Sequence, residues 1–127
     1  MSIPKFALAC LMSFALWCVL LLIVFSCEAH AAAFNCAFAK LPTEVLICQT
    51  PELSAADELN AEMFYKIRGA MSTRSAAAFS SLERQWIQQR NDCGYDKQCI
   101  VNSYLEHFGY LCGASEDVGL GFSDCEE

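Results

Sequence analysis

Apolar residues recur every three or four positions through most of the chain after residue 34, which is the spacing of one face of an α-helix. The clearest stretch is 83–111, where Ile100, Tyr104 and Phe108 follow one another at four-residue intervals. Segment 92–96 contains turn-forming residues and divides this stretch into two helices. Since no strand-like alternation of apolar and polar residues occurs after residue 34, the pattern predicts an all-α fold.

The pattern predicts a small domain of three long helices with a short extra helix before them. The long helices are expected over 52–71, 74–91 and 97–111. The short apolar helix is expected to begin after Thr43, a good N-cap residue, and to stop at Pro51, which cannot continue it.

The segments at the two ends of this domain are expected to be non-helical. Segment 34–42 is expected to be extended, because it leads into the short helix and carries no helical periodicity. Gly109 and Gly113 are expected to bracket the end of the third long helix. Residues 113–127 carry five acids and no base, so they are predicted to form an acidic C-terminal tail.

The second long helix is expected to bury one face. Leu82 and Trp86 lie on this face, whereas Glu83 and Arg90 are expected to be mostly solvated. Trp86 and Arg90 are four residues apart, and aromatic–cation pairs of this kind are frequent in binding hot spots. Because Trp86 shares its face with apolar residues, a structural role is favoured, with Arg90 lying along the ring and pairing with Asp92 or a backbone carbonyl.

The N-terminal segment 1–31 is predicted to be a secretory signal peptide. It has one positive charge near its start, a continuous apolar run over 6–25 and small residues after it. Cleavage after Ala31 and cleavage after Ala33 both satisfy the requirement for small residues. Two alternatives remain open: an uncleaved membrane anchor, since 20 apolar residues can span a bilayer, and lipidation at Cys27.

Six cysteines follow the predicted signal segment, and an even number in a short exported chain is typical of a disulfide framework. They are Cys36, Cys48, Cys93, Cys99, Cys112 and Cys125. Six cysteines allow fifteen pairings, and the sequential set of 36–48, 93–99 and 112–125 is our hypothesis. A zinc site or a catalytic thiol is disfavoured, because no C-x-x-C occurs and His107 is the only histidine beyond the signal segment. His107 itself is expected to be a partly exposed structural residue.

The charge balance narrows the class of partner. Residues after Ala31 carry fourteen acidic and seven basic side chains, a net charge of −7. This charge argues against binding to nucleic acid or to an anionic membrane surface, and it favours a cationic partner. The alternative is that the charge only keeps a small protein soluble.

Five short patterns carry a resemblance to a known family: Phe34-Asn35-Cys36, Val45-x-Ile47-Cys48, Pro51-x-Leu53, Trp86-Ile87-x-x-Arg90-x-x-Cys93 and Cys99-Ile100-x-x-x-Tyr104. Over residues 34–112 the chain resembles the lysozyme inhibitor LprI-like N-terminal domain family, formerly DUF1311. The resemblance implies a small helical domain, secreted or attached to the bacterial envelope, in which Trp86, Arg90 and Tyr104 are structural. Some members of this family are similar to lysozyme inhibitors.

These observations favour a non-enzymatic binding protein, secreted or periplasmic, that uses no metal or cofactor. Its expected partner is a cationic protein such as lysozyme, and the exposed acids Glu116 and Asp117 are the candidate contact residues. One alternative is an envelope interaction module with an unknown partner. A further alternative is a small hydrolase that uses Asp57, Glu58 and Glu62, but acids at this spacing are expected to form a solvated helix face.

Overall fold

The computed structural model describes residues 32–126, and the predicted signal segment 1–31 lies outside them. A 3₁₀ turn, Cys36–Phe38, precedes four α-helices, and a second 3₁₀ turn, Ser123–Cys125, follows them. The helices are α1 (Pro42–Gln49), α2 (Pro51–Ala70), α3 (Thr73–Asn91) and α4 (Lys97–Asp117). Over the described range there is no strand, which confirms the prediction of an all-α domain with three long helices and a short extra one.

Helix α1 begins two residues earlier than predicted, and Thr43 does not cap it. Pro42 occupies the first helical position, where its missing N–H costs nothing. Thr43 is fully buried, and its Oγ1 lies 3.0 Å from the carbonyl oxygen of Asn91 and 2.9 Å from that of Gly94. The cap prediction was wrong because this hydroxyl serves a tertiary contact that joins α1 to the turn between α3 and α4.

Glu44 supplies the N-terminal capping of α1 in place of Thr43. Its Oε2 accepts hydrogen bonds from the backbone N–H groups of Lys40, at 3.0 Å, and Leu41, at 3.1 Å. These two backbone donors, Lys40 first, lower the pKa of Glu44 below its ordinary value of 4.5. The stabilisation is therefore complete above pH 4.5 and is lost as the pH falls through the lower pKa of the folded state.

We expect Glu44→Ala to lower the free energy of unfolding at pH 7 by about 0.5–2 kcal/mol, the usual cost of a lost helix cap. The difference from the parent protein should be smaller at pH 2.5 than at pH 7, because protonation of Glu44 weakens it as an acceptor for the N–H groups of Lys40 and Leu41. Urea unfolding followed by circular dichroism at the two pH values measures both effects. Glu62→Ala is the matched control: this exposed acid pairs with Lys66 within α2, and its loss should cost about 0.5 kcal/mol or less.

Helix α4 runs six residues beyond its predicted end at Leu111. Gly109 and Gly113 lie inside the helix and do not end it. Leu111 and Ser115 are one helical turn apart and are 0 % and 1 % exposed, so the buried face of α4 continues through both glycines. Burial of this face outweighs the low helix propensity of glycine, which costs about 1 kcal/mol per residue.

Gly119 marks the true end of α4. It has a φ of 71°, the left-handed conformation that glycine adopts without steric cost. Its N–H donates to the carbonyl oxygen of Glu116, and the N–H of Leu120 donates to that of Ser115, at 3.0 and 2.9 Å. This pair of bonds is a Schellman motif, which satisfies carbonyl groups at the helix terminus. The segment that follows turns back towards the domain.

Two apolar clusters form the core, and α4 contributes to both. The first consists of Ala32, Ile47, Leu53, Ile100 and Tyr104. The second consists of Met63, Phe64, Ile67, Phe79 and Leu111, with the rings of Phe64 and Phe79 stacked 5.1 Å apart. Val118, Leu120 and Phe122 pack against the second cluster, so the start of the predicted tail is part of the folded domain.

Three disulfides cross-link the domain, and they are the three sequential pairs of our hypothesis. Cys36–Cys48 ties the first 3₁₀ turn to α1, Cys93–Cys99 closes the turn between α3 and α4, and Cys112–Cys125 ties the terminal segment to α4. Segment 34–42, which was predicted to be extended, contains the 3₁₀ turn Cys36–Phe38. Disulfides of this number are consistent with an oxidising compartment outside the cytoplasm.

Two charged residues of α3 that were predicted to be solvated are buried. Glu83 is 9 % exposed and Arg90 is 4 % exposed, whereas Leu82, which was predicted to be buried, is 48 % exposed. Both buried groups find partners on the neighbouring helices α2 and α4. In residues 32–126, no helix combines the length and the apolar character needed to cross a bilayer.

Candidate functional site

A buried polar cluster connects the three long helices at one end of the first apolar cluster. Asp57 on α2, Arg90 on α3 and Tyr104 on α4 are 5 %, 4 % and 3 % exposed. Arg90 Nη1 donates to Asp57 Oδ1 at 2.7 Å and to the Tyr104 hydroxyl oxygen at 3.0 Å. The Tyr104 hydroxyl donates to the same Oδ1 at 2.7 Å. Each helix therefore contributes one member of a closed hydrogen-bonded triangle.

The second carboxylate oxygen of Asp57 binds the chain immediately after the predicted signal segment. The backbone N–H of Ala33 donates to Oδ2 at 2.8 Å. Asp57 was predicted to be solvated together with Glu58 and Glu62, and that prediction was wrong for Asp57. Its spacing of four residues from the buried Leu53 places it on the inner face of α2, where a carboxylate is stable only with partners of this kind.

Arg90 also lies against two aromatic rings. Its guanidinium carbon is 5.3 Å from the centre of the Trp86 ring and 5.7 Å from that of Tyr104, within the range of cation–π attraction. The position of Arg90 along Trp86 agrees with the structural interpretation. The predicted partner was wrong: Arg90 pairs with Asp57 across the core and not with Asp92, which is exposed at the end of α3.

A second buried pair lies beside Trp86. His107 Nε2 is 2.9 Å from Glu83 Oε2, and both side chains are largely buried. The His107 ring stacks on the Trp86 ring at 3.8 Å with an angle of 6° between the planes. Trp86 Nε1 in turn donates to Ser103 Oγ at 3.0 Å. His107 was predicted to be partly exposed, but at 5 % exposure it is a core residue held by an acid and an indole.

The electrostatics of these groups suit a structural role. Burial, more than any neighbouring charge, raises the pKa of the Tyr104 hydroxyl, so that this group keeps its proton and acts as a donor. Asp57 and Glu83 are each held by a different partner, Asp57 by Arg90 and Glu83 by His107. Residues 32–126 contain no cluster of three or more His, Cys, Asp or Glu side chains that could hold a metal ion.

Two cavities adjoin the polar cluster. A cavity of about 380 Å³ lies between α2 and α4 with mainly apolar walls, formed by Leu53, Ala56, Leu59, Val101, Leu105 and Phe108. A cavity of about 240 Å³ lies over the cluster, with Glu44, Asp57, Glu83 and Arg90 among its lining residues. Asn60 borders both cavities, and its buried Oδ1 has no hydrogen-bond partner among residues 32–126.

The predicted contact residues Glu116 and Asp117 are exposed and lie in the last turn of α4. Two further exposed acids, Asp124 and Glu126, flank Cys125, whose Cα is 5.7 Å from that of Cys112 through their disulfide. Because Glu116 is one helical turn after Cys112, the disulfide gathers these acids at one end of α4. We call Glu116, Asp117, Asp124 and Glu126 the C-terminal acidic surface.

Comparisons of the chain with protein-family models, with curated proteins and with solved structures found no match. The roles of its residues are therefore argued from the sequence and the geometry. Sequence reasoning missed the burial of Asp57, Glu83 and His107. A signal existed, since Asp57 is four residues after Leu53 and Glu83 is four residues after Phe79, so each acid falls on an apolar helix face.

Proposed function

We propose that this chain is a secreted or periplasmic binding domain without enzymatic activity, and that its partner is a cationic protein. Lysozyme is the partner that we propose to test first, because residues 34–112 resemble the LprI-like family. An exported domain with three disulfides meets such a partner outside the cytoplasm. No cofactor enters the proposal.

The positions of the buried acids Asp57 and Glu83 support a binding function over a catalytic one. A general acid or base has to reach substrate from a cleft, with a pKa near the working pH. Asp57 is held on both oxygens by Arg90, Tyr104 and Ala33, and Glu83 is held by His107. These hydrogen bonds stabilise the fold and occupy both acids. We therefore propose that function lies on the exposed surface.

The observation that carries the proposal is the position of Glu116 and Asp117 at the C-terminal turn of α4. The C-terminal end of a helix bears a partial negative charge, so each acid there costs about 0.3–1 kcal/mol of stability at low ionic strength. Both side chains are exposed, and Asp124 and Glu126 add to the negative field. No basic residue follows Lys97. Acids at this helix end lower the stability of the fold. A cationic partner that binds the C-terminal acidic surface would explain why they are there.

The exposed charges as a whole favour the same class of partner. The exposed acids are Glu52, Glu58, Glu62, Asp92, Asp96, Glu106, Glu116, Asp117, Asp124 and Glu126, and the exposed bases are Lys40, Lys66, Arg68, Arg74, Arg84 and Lys97. An excess of negative charge speeds encounter with a cationic protein and makes association sensitive to salt. Binding is therefore expected to weaken as ionic strength rises, mainly through a slower association rate.

We expect purified protein beginning at residue 32, with its disulfides intact, to slow the lysis of a bacterial cell suspension by lysozyme. The double variant E116Q/D117N should raise the Kd for lysozyme by about tenfold, which corresponds to about 1.4 kcal/mol. Its Tm should be unchanged or slightly higher, because two unfavourable charges leave a helix C-terminus. Turbidity measures inhibition, and surface plasmon resonance at two salt concentrations measures binding.

The double variant D92N/E106Q is the matched control. It removes the same charge from two exposed residues outside the C-terminal acidic surface, so it should slow association without affecting dissociation. Lysis that proceeds at its normal rate in the presence of excess protein would contradict the inhibitor proposal. Equal effects of the two double variants on dissociation would contradict the assignment of the surface. Incubation of the protein with peptidoglycan alone tests the hydrolase alternative.

A further inference from the structure

The first described residue is buried in the core of the domain, and the backbone of the second, which is exposed, binds a buried carboxylate. Ala32 is 7 % exposed and belongs to the first apolar cluster, together with Leu53 on α2 and Tyr104 on α4. The N–H of Ala33 donates to Asp57 Oδ2 at 2.8 Å. A short stretch at the junction with the predicted signal segment thus fills an apolar site and satisfies a buried carboxylate.

This arrangement distinguishes two cleavage sites that the sequence leaves equivalent. Ala29 and Ala31 provide the small residues for a cut after Ala31, and Ala31 and Ala33 provide them for a cut after Ala33. The first cut keeps Ala32 and Ala33 in the mature chain. The second cut removes both, so the mature protein would lack one member of the first apolar cluster and the donor to Asp57 Oδ2.

The missing donor is the more serious loss. Oδ1 of Asp57 already accepts hydrogen bonds from Arg90 and Tyr104, whereas Ala33 donates to Oδ2. Asp57 is 5 % exposed, and in the folded chain the backbone N–H of Ala33 supplies the donor to Oδ2. A buried acceptor left without its partner bears its full desolvation penalty.

The cavity beside this junction is lined by three acidic residues and one basic residue. Ala33 lines the cavity over the polar cluster, together with the carboxylates of Glu44, Asp57 and Glu83 and the guanidinium of Arg90. A cut after Ala31 turns the nitrogen of Ala32 from a neutral amide into an α-ammonium group. This positive charge lies one residue before Ala33, which lines the cavity and binds Asp57.

We infer that the mature chain begins at Ala32. Ala32 and Ala33 then form an N-terminal strap, in which Ala32 packs in the first apolar cluster and Ala33 donates a hydrogen bond to Asp57. The scissile bond is the peptide bond between Ala31 and Ala32, which water hydrolyses to the Ala31 carboxylate and the Ala32 ammonium group. This inference rests on the exported character in the proposed function and is independent of the partner.

The first test is the N-terminal sequence and intact mass of protein recovered from the envelope fraction of a bacterial host that expresses the full chain. We expect the sequence Ala-Ala-Phe-Asn, beginning at Ala32. A chain that begins at Phe34 would overturn the inference and leave the proposed export standing. A chain that begins with lipidated Cys27 would also overturn it. Retention of residues 1–31 would overturn both the inference and the proposal of a cleaved exported protein.

The second test compares purified chains that begin at Ala32 and at Phe34. We expect removal of the two alanines to lower the Tm by at least 5 °C, roughly the shift that 1 kcal/mol produces in a domain of this size. The matched control lacks Glu126 and Glu127 instead, and its Tm should be unchanged because Glu126 is exposed. Equal Tm values for the chains that begin at Ala32 and Phe34 would overturn the structural role of the strap. Failure of only the shorter chain to fold would support it.

Discussion

Arg90→Ala is expected to lower the free energy of unfolding by about 3–5 kcal/mol, because it leaves the carboxylate of Asp57 buried without its charged partner. Asp57 Oδ1 lies 2.7 Å from Arg90 Nη1, and both side chains are about 5 % exposed. The substitution also removes a donor to the Tyr104 hydroxyl and the packing of the guanidinium on Trp86. Urea unfolding followed by far-ultraviolet circular dichroism gives the free energy directly.

Two comparisons show whether this loss comes from the buried charge. Arg84→Ala, on the exposed face of the same helix, should change the free energy of unfolding by about 0.5 kcal/mol or less. Tyr104→Phe keeps the ring and removes the hydroxyl that donates to Asp57, so it should cost about 0.5–1.5 kcal/mol. A loss of under 1 kcal/mol for Arg90→Ala would mean that Asp57 does not depend on Arg90, and the interpretation of the triangle would be wrong.

Complete reduction of the three disulfides is expected to unfold the domain at 37 °C. The bridges close loops with sequence separations of 12, 6 and 13 residues. Chain entropy assigns about 2–3 kcal/mol to each loop of this size. A small domain has a total stability of only about 5–15 kcal/mol, so the three bridges together supply a large share of it. Loss of the helical circular dichroism signal on reduction measures the effect.

The control for this experiment is the same protein incubated without reductant, digested and analysed by mass spectrometry. Linked peptides should contain the pairs Cys36–Cys48, Cys93–Cys99 and Cys112–Cys125. A linked peptide that joins Cys36 to Cys93 would refute this pairing. Reduced and alkylated protein that keeps its helicity and its Tm would show that the apolar clusters suffice without covalent support.

The helices and the disulfides could be predicted where they depend on residues close together in the sequence. The helices could be predicted because apolar spacing and residues such as Pro51 act within a few positions of the chain. The disulfide pairs could be predicted because each joins cysteines that are neighbours in sequence, across a turn or a short segment. In contrast, the end of α4 depends on the burial of Leu111 and Ser115. The glycines near them in the sequence do not indicate this burial.

The candidate site was less predictable because its members are far apart in the chain. Asp57 is separated from Arg90 by 33 positions and from Tyr104 by 47. A carboxylate at helical spacing is usually solvated, and only the assembled core shows that this one has partners. Glu83 and His107 were misplaced for the same reason, since their pairing requires α3 and α4 to pack side by side.

The sequence by itself determined the all-α class, the approximate positions of the helices and the excess of negative charge, because each follows from local spacing or from composition. It suggested the sequential disulfide pairing as one of fifteen, and the structure shows that set. The tertiary structure alone decided which charged residues are buried, where α4 ends and how Ala32 and Ala33 are used. The physical reason is that burial is a property of packed surfaces. A carboxylate, an imidazole or a backbone N–H becomes structural only when distant segments exclude water around it and supply its hydrogen-bond partners.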